Sequence, residues 1–125
     1  MIVTDEEIIE LKKFISQLNE MKDSVVIVEG KKDSGALKKI GFTGKVLEFH
    51  RFDGMIDFTD YVSKYKRLII LFDRDKKGRT LTEKTIQLLQ RRTKIDLSFK
   101  KKLREITKGK IKFIEQLVCY ESYFI

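Results

Sequence analysis

The sequence predicts an α/β domain in which a mostly parallel sheet of about four strands lies between helices. Short apolar runs alternate along the chain with longer segments of helical periodicity, an order typical of strand–helix–strand units. The runs at residues 25–28 and 68–72 are continuously apolar, as expected of strands buried on both faces. The chain has no proline, no repeat and no linker-like tract, which favours a single domain over residues 1–125.

Individual elements follow from apolar spacing and from start and stop signals. Thr4 and Glu7 fit the capping-box pattern at the start of the first helix, and Gly41 is the expected end of the second. The predicted helices cover residues 4–21, 31–40, 56–65, 80–92 and 97–107. The predicted strands cover residues 25–28, 45–49, 67–72 and, as a last short strand, 112–117.

The net charge of +8 is concentrated in one stretch of the chain. Residues 91–112 hold ten Lys or Arg and two acids, and the remainder is balanced. This asymmetry indicates a polyanionic partner, for which nucleic acid is the main candidate; a solvated helical face is the alternative. The expected backbone-binding residues in this stretch are Arg91, Arg92, Lys100, Lys101, Lys102 and Arg104.

Composition also bears on the compartment. The single cysteine, Cys119, cannot form an internal disulfide, which fits a reducing environment. The first residues lack the basic and apolar regions of a signal peptide, and no apolar stretch has the length needed to span a bilayer. We therefore expect a cytoplasmic protein that does not bind membranes.

Acidic residues follow two of the predicted buried strands. Glu29 comes directly after the first, and Asp73 and Asp75 come after the later one. If these strands are parallel neighbours, the three carboxylates converge at the edge where the strands end. Carboxylates held this close repel one another unless a cation neutralises them, and oxygen-only ligands favour Mg²⁺ or Mn²⁺.

The residues beside these acids fit a phosphate site. Gly30 would allow a close approach of the backbone, and Gly78 would permit a tight turn after the acid pair. Lys31, Lys32 and Arg79 are placed to reach phosphate oxygens. A Glu-Gly or an Asp-x-Asp alone is an ordinary turn or helix cap, so the prediction depends on the conjunction of both after apolar strands.

Taken together, these residues resemble a Toprim domain, the fold shared by topoisomerases, bacterial-type primases, the 5S ribosomal RNA maturase and some nucleases. That family carries a Glu-Gly motif after its first strand and an Asp-x-Asp motif after a later strand. Here the motifs are VVIVEGKKD at residues 25–33 and LIILFDRDKKGR at residues 68–79. The resemblance covers residues 24–92, between an N-terminal helix at 4–21 and a basic C-terminal extension at 93–125. The length and the basic extension resemble the small stand-alone Toprim proteins of prokaryotes, archaea above all.

The resemblance implies a role for each motif residue. Asp73 and Asp75 would be metal ligands, and Glu29 would be a ligand or the general acid/base in phosphodiester transfer. Asp33 would support the Glu-Gly turn from behind or at the start of the following helix. Arg79 would contact phosphate. The additional domains that topoisomerases and primases use do not fit within 125 residues.

Two functions stay open at this point. One is Mg²⁺-dependent cleavage or transfer of phosphodiester bonds in RNA or DNA. The other is a non-catalytic module that binds metal and nucleic acid within a larger processing assembly. A phosphatase of the haloacid-dehalogenase type is disfavoured, because Lys76 and Lys77 stand where that family has glycine and a small hydroxyl residue. A dinucleotide-binding fold is disfavoured because no Gly-x-Gly-x-x-Gly follows the first strand.

Overall fold

A computed structural model of the protein describes residues 2–124 and confirms the α/β fold. Its single sheet has four strands in the order β2-β1-β3-β4, and all three pairings are parallel. The strands are β1 (Ser24–Val28), β2 (Val46–Glu48), β3 (Arg67–Ile70) and β4 (Lys94–Asp96).

Helices occupy both faces of this sheet. Thr4 caps the first helix as predicted, because its side-chain oxygen accepts a 3.1 Å hydrogen bond from the backbone N–H of Glu7. A short 3-10 turn, Phe49–Arg51, follows β2, and a longer stretch, Ile114–Phe124, forms the C-terminal 3-10 helix. The α-helices are α1 (Asp5–Glu20), α2 (Lys31–Lys39), α3 (Gly54–Val62), α4 (Lys76–Leu89) and α5 (Ser98–Ile106).

Alternate residues of the central strands enter two separate cores. Val26 and Ile69 point to the face covered by α1, α2, α5 and the C-terminal 3-10 helix. Ile27 and Ile70 point to the face covered by α3 and α4. This alternation explains why both strands are continuous apolar runs in the sequence.

The sequence-based assignment is wrong at two elements. Residues 112–117 do not form a strand; they lead into the C-terminal 3-10 helix, and the fourth strand is β4, with three residues of which only Ile95 is apolar. The helix expected at residues 80–92 begins four residues earlier, at Lys76, because Asp75 caps it. The basic segment after residue 92 therefore supplies one of the four strands of the sheet.

The order of the strands creates a crevice between β1 and β3. From β1 the chain moves outwards to β2, and from β3 it moves outwards in the other direction to β4. Consequently α2, which follows β1, and α4, which follows β3, pack on opposite faces of the sheet. Ligands of open α/β sheets bind at such a switch point, beyond the carboxyl ends of the strands.

A buried polar cluster joins the two ends of the chain behind the α1 face. Glu7 is only 3% exposed, and both of its carboxylate oxygens accept hydrogen bonds from Lys110 Nζ, at 2.7 and 2.8 Å. Tyr120 Oη also donates to Glu7, at 3.1 Å. Burial raises the pKa of Glu7, but the bonds from Lys110 and Tyr120 outweigh burial and hold it below the usual value.

None of the helices in residues 2–124 combines the length and the apolar character that crossing a bilayer requires.

Candidate metal centre

The side chain of Glu29 and the backbone of Asp73 meet at the switch point. Glu29 follows β1 and Asp73 lies three residues beyond β3, and residues of these neighbouring strands pair in register up to Ile27 and Ile70. The backbone N–H of Asp73 donates a 2.9 Å hydrogen bond to Glu29 Oε2. Glu29 is 5% exposed, so its carboxylate lies at the bottom of the crevice.

The charged form of Asp73 is disfavoured by burial and by the neighbouring carboxylates. Burial, together with the nearby carboxylates of Glu29 and Asp75, raises its pKa to about 6, against the lowering effect of a hydrogen bond from the backbone of Ile114. That bond, from Ile114 N–H to Asp73 Oδ1, is 2.8 Å long. A shared proton or a bound cation would stabilise the carboxylates of Glu29 and Asp73 by reducing their repulsion.

Asp75 combines a place in the acidic group with a role in helix formation. Its Oδ1 accepts a 2.8 Å hydrogen bond from the backbone N–H of Gly78, which makes Asp75 the N-cap of α4. The helix dipole favours the negative charge of Asp75 at this position. Asp75 Oδ1 is therefore used to cap α4, whereas Asp75 Oδ2 accepts no hydrogen bond from the described residues.

Gly78 is needed for a reason that differs from the predicted one. We expected a tight turn, but Gly78 lies in the first turn of α4. A Cβ atom added to Gly78 would lie 1.9 Å from the backbone oxygen of Asp73, far inside contact distance. The missing side chain lets α4 start against the backbone of the acidic loop.

Asp33 contacts the Glu29–Gly30 turn. Its Oδ2 accepts a 3.0 Å hydrogen bond from Gly30 N–H, and its Oδ1 accepts one of 3.2 Å from Glu115 N–H. Burial raises the pKa of Asp33, which is 7% exposed. Gly30 itself lies close to His50, since an added Cβ atom would stand 3.2 Å from His50 Nδ1.

The start of the C-terminal 3-10 helix is a part of this centre that sequence reasoning missed. Backbone N–H groups of Ile114 and Glu115 bind Asp73 and Asp33, as described above. In addition, Arg74 N–H donates to the backbone oxygen of Lys112 at 2.9 Å, and Arg74 Nε donates to that of Ile111 at 3.1 Å. No sequence signal could have revealed these contacts, because they use backbone groups that nearly every residue has.

Lys100 is one of the predicted basic residues, and it lies close to the acids. It extends from α5, and its Nζ lies 3.5 Å from the backbone oxygen of Asp73. Burial lowers the pKa of Lys100, while the carboxylates of Asp73 and Glu29 act in the opposite direction. A half-buried cation therefore stands at the rim of the acidic crevice.

The remaining predicted phosphate-binding residues divide into groups. Arg79, Lys101 and Arg104 line a cavity of about 400 Å³ between α4 and α5, together with Arg74, Thr82, Leu97 and Lys100. Lys31 and Lys32 are exposed in the first turn of α2, at the same edge of the sheet.

Three basic residues predicted to act with them lie elsewhere. Lys102 Nζ faces α1, at 3.5 Å from Gln17 Oε1. Arg91 and Arg92 follow the C-terminal end of α4, and Arg92 donates to Ser63 Oγ at 2.9 Å. Because Ser63 precedes β3, this pair lies at the opposite edge of the sheet from Asp73.

The carboxylates of Glu29, Asp73 and Asp75 are ligands that a hard cation prefers, but they are not already arranged as a complete coordination site. Within residues 2–124, no three His, Cys, Asp or Glu side chains are disposed to hold an ion together. One oxygen each of Glu29, Asp73 and Asp75 accepts a backbone hydrogen bond. The other oxygen of each carboxylate accepts no hydrogen bond from the part of the chain that the structure describes. None of these three oxygens is fully buried, so each is in contact with solvent. Oxygen donors that are partly open to water suit Mg²⁺ or Mn²⁺, which retain water ligands in proteins.

Fold and site together define a parallel α/β domain with an acidic centre at its switch point. The chain belongs to the Toprim domain family, whose model matches residues 24–116. The match extends past the predicted limit of residue 92 and includes β4, α5 and the start of the C-terminal 3-10 helix. Toprim domains typically bind Mg²⁺, and the family supports a metal-dependent role related to nucleic acid.

Curated relatives are small archaeal proteins. The chain is 34% identical over 106 residues to a UPF0292 protein of Pyrococcus furiosus, covering 85% of this chain and 79% of that one. It is also 34% identical over 116 residues to a UPF0292 protein of Methanosarcina acetivorans, covering 90% and 80% of the two chains. Among solved structures, a protein from Aquifex aeolicus matches with a TM-score of 0.68 and 29% identity, over 85% of this chain and 96% of that one.

Proposed function

We propose that this protein is a Mg²⁺- or Mn²⁺-dependent enzyme that cleaves or transfers phosphodiester bonds in RNA or DNA. The observation that carries the proposal is the contact between Glu29 and Asp73 at the switch point, with the Asp73 pKa raised to about 6. An acid pair in this state favours a proton or a cation, and a bound divalent ion would satisfy both carboxylates at neutral pH.

We assign the ion to the carboxylate oxygens that accept no backbone hydrogen bond. These are Glu29 Oε1, Asp73 Oδ2 and Asp75 Oδ2. When bound, the ion would polarise a phosphoryl oxygen and lower the pKa of a bound water.

The protein's own side chains would supply the remaining chemistry. Glu29 is held through Oε2 by the Asp73 N–H. Its Oε1 would either bind the ion or, where Asp73 and Asp75 alone hold the ion, accept and return a proton. Lys100 and Arg79 would offset the charge of the phosphate, and Lys31 and Lys32 would contact phosphates on the α2 side. Asp33 would keep the Glu29–Gly30 turn in place through its two backbone hydrogen bonds.

A second candidate is a non-catalytic module that binds metal and nucleic acid within a larger cytoplasmic RNA- or DNA-processing assembly. It is favoured by the lack, in residues 2–124, of three side chains already arranged as a metal cage. It is also favoured by the backbone hydrogen bonds to all three acids, which give each a structural role as well.

A cleavage assay with a charge-neutral variant separates the two candidates. Labelled single-stranded and duplex RNA and DNA are incubated with Mg²⁺ or Mn²⁺ and wild-type protein, Glu29→Gln or Glu20→Gln. The amide oxygen introduced by Glu29→Gln can still accept the Asp73 N–H, so the fold is expected to survive. Exposed Glu20 ends α1 at the opposite edge of the sheet and serves as the control.

The enzyme proposal expects metal-dependent cleavage by the wild type and by Glu20→Gln. It expects a loss of at least 100-fold in Glu29→Gln, in line with removal of a general acid or base. Absence of cleavage of every substrate by the wild type, with nucleic acid still bound, would favour the module instead.

A further inference from the structure

We infer that the cleft between α4 and α5 binds the phosphodiester backbone of one single strand of nucleic acid and leads it to the acidic centre. The identity of this ligand rests on the proposed function. The surface itself is defined by its charges, shape and position.

The cleft gathers cations that form no ion pair with an acid. Five of them surround the cavity of about 400 Å³, namely Arg74, Arg79, Lys100, Lys101 and Arg104. The ion pairs within residues 2–124 involve other Lys and Arg residues, namely Lys13, Arg51, Arg67 and Lys110. Five positive groups around one concavity repel one another, and a polyanion that enters it relieves this repulsion.

The cleft lies beside the acidic centre and adjoins a second basic cavity. Lys100 lines the cleft, and its Nζ lies 3.5 Å from the Asp73 backbone oxygen. A cavity of about 580 Å³ adjoins the outer side and shares Lys101 and Arg104, with Lys108 added. Glu105 is the one acid on its wall. A chain of phosphates could thus pass several cations before it reaches the carboxylates.

The spacing of the cations on α5 suits a strand backbone. Lys100 and Arg104 are four residues apart, so they lie on the same side of the helix, separated by about one turn, roughly 6 Å along the axis. A run of phosphates presents its charges at comparable intervals.

The concave shape favours a single strand over a double helix. Proteins read duplexes mainly by inserting a protruding helix or ribbon into a groove of the nucleic acid. Single strands are held instead in positively charged channels that track the backbone. Exposed Leu97 and the side chain of Thr82 provide an uncharged part of the wall, against which a sugar or base can pack.

Binding without metal tests this inference separately from catalysis. The probe is a labelled single strand of mixed sequence and about 12 nucleotides, within the site sizes of known single-strand binders, and its duplex form is the comparison. Fluorescence anisotropy is followed in EDTA over a range of salt concentrations. The cleft variant is Lys101→Gln/Arg104→Gln, and the matched control is Lys22→Gln/Lys66→Gln. All four residues are exposed, and each pair removes two positive charges.

The cleft variant should bind the single strand at least tenfold more weakly than the wild type. Its plot of log affinity against log salt should be shallower by about 1.4, the value for two lost phosphate contacts on a single strand. The control should stay within twofold of the wild type. Equal losses in both variants, no binding by the wild type, or a preference for duplex would overturn the inference. Cleft-dependent binding with no cleavage in Mg²⁺ would count against the proposed enzyme and leave the cleft intact.

Discussion

Glu29 and Asp73 lie 44 positions apart in the sequence, yet the backbone N–H of Asp73 donates a 2.9 Å hydrogen bond to Glu29 Oε2. This contact joins the ends of the two central strands and brings two acids to the bottom of one crevice. The pairing of β1 with β3 brings the carboxylates of Glu29 and Asp73 together, so folding brings two negative charges close to each other.

The stability of the metal-free protein should respond to the charge on Asp73. Its folded-state pKa, about 6, exceeds the ordinary value of 3.8, so the folded protein holds this proton more tightly than the unfolded chain. The resulting stabilisation is full below about pH 4 and is lost as the pH rises through about 6. We expect Asp73→Asn to escape this loss.

Urea denaturation in EDTA at several pH values measures the effect. The stability of Asp73→Asn relative to the wild type should rise by about 1 kcal/mol between pH 4 and pH 8, a value reduced for the partial exposure of Asp73. Added Mg²⁺ should shrink the difference at pH 8 by stabilising the wild type. A difference that is the same at every pH would show that the Asp73 charge is not strained.

Substitution of Gly78 by Ala should destabilise the protein although alanine favours helices. The new Cβ atom would lie 1.9 Å from the Asp73 backbone oxygen, so the loop or the start of α4 must move. We expect a loss of about 2 kcal/mol in chemical denaturation. Gly35→Ala on α2 is the matched control, because nothing lies within 4 Å of its added Cβ, and it should gain about 0.5–1 kcal/mol. Equal effects of the two substitutions would refute the close approach at Gly78.

The buried cluster around Glu7 should contribute strongly to stability. Glu7→Gln leaves Lys110 without its carboxylate partner in a partly buried site, and a loss of about 2 kcal/mol is expected. Tyr120→Phe removes a single hydrogen bond to Glu7 and should cost about 1 kcal/mol. Because the Glu7 pKa is lowered, the wild-type advantage over Glu7→Gln should disappear as the pH falls through that pKa. An advantage that persists unchanged at pH 2–3, measured by urea denaturation, would contradict this assignment.

Asp33 should affect metal binding although it is not a proposed ligand. Asp33→Asn keeps one acceptor oxygen, so one of the bonds from Gly30 N–H and Glu115 N–H must be lost. We expect weaker Mn²⁺ binding by calorimetry and a stability loss of about 1 kcal/mol. Exposed Asp60→Asn on α3 removes the same charge and should leave both quantities unchanged. If the two variants bind Mn²⁺ equally well, Asp33 has no positioning role.

The sequence contained strong signals for the elements that are buried on both sides. The runs that became β1 and β3 were recognisable because a strand between two cores is apolar at every position. β4 was missed because it has three residues and lies at the edge of the sheet, where Lys94 and Asp96 are compatible with a strand. The sequence pattern places the start of α4 four residues late, because Asp75 fits the acid pair in the sequence but caps the helix in the structure.

For the site, the sequence indicated the acidic side chains but not the backbone groups that hydrogen-bond to them. The acids could be proposed from their place after apolar strands, since parallel strands end at one edge. Residues 112–117 have a strand-like pattern, so the sequence did not indicate that the N–H groups of Ile114 and Glu115 bind Asp73 and Asp33. Likewise, charge counting could not separate Arg91 and Arg92 from Lys101 and Arg104, because only the direction of α4 puts them at opposite edges.

Glu29, Asp73 and Asp75 are proposed to hold one divalent cation between them. A titration of Mn²⁺ followed by electron paramagnetic resonance counts bound ions directly, without any substrate. We expect saturable binding to the wild type and to Glu20→Gln, and binding at least tenfold weaker in Glu29→Gln and in Asp75→Asn. Undiminished Mn²⁺ affinity in both of the latter variants would contradict this proposal.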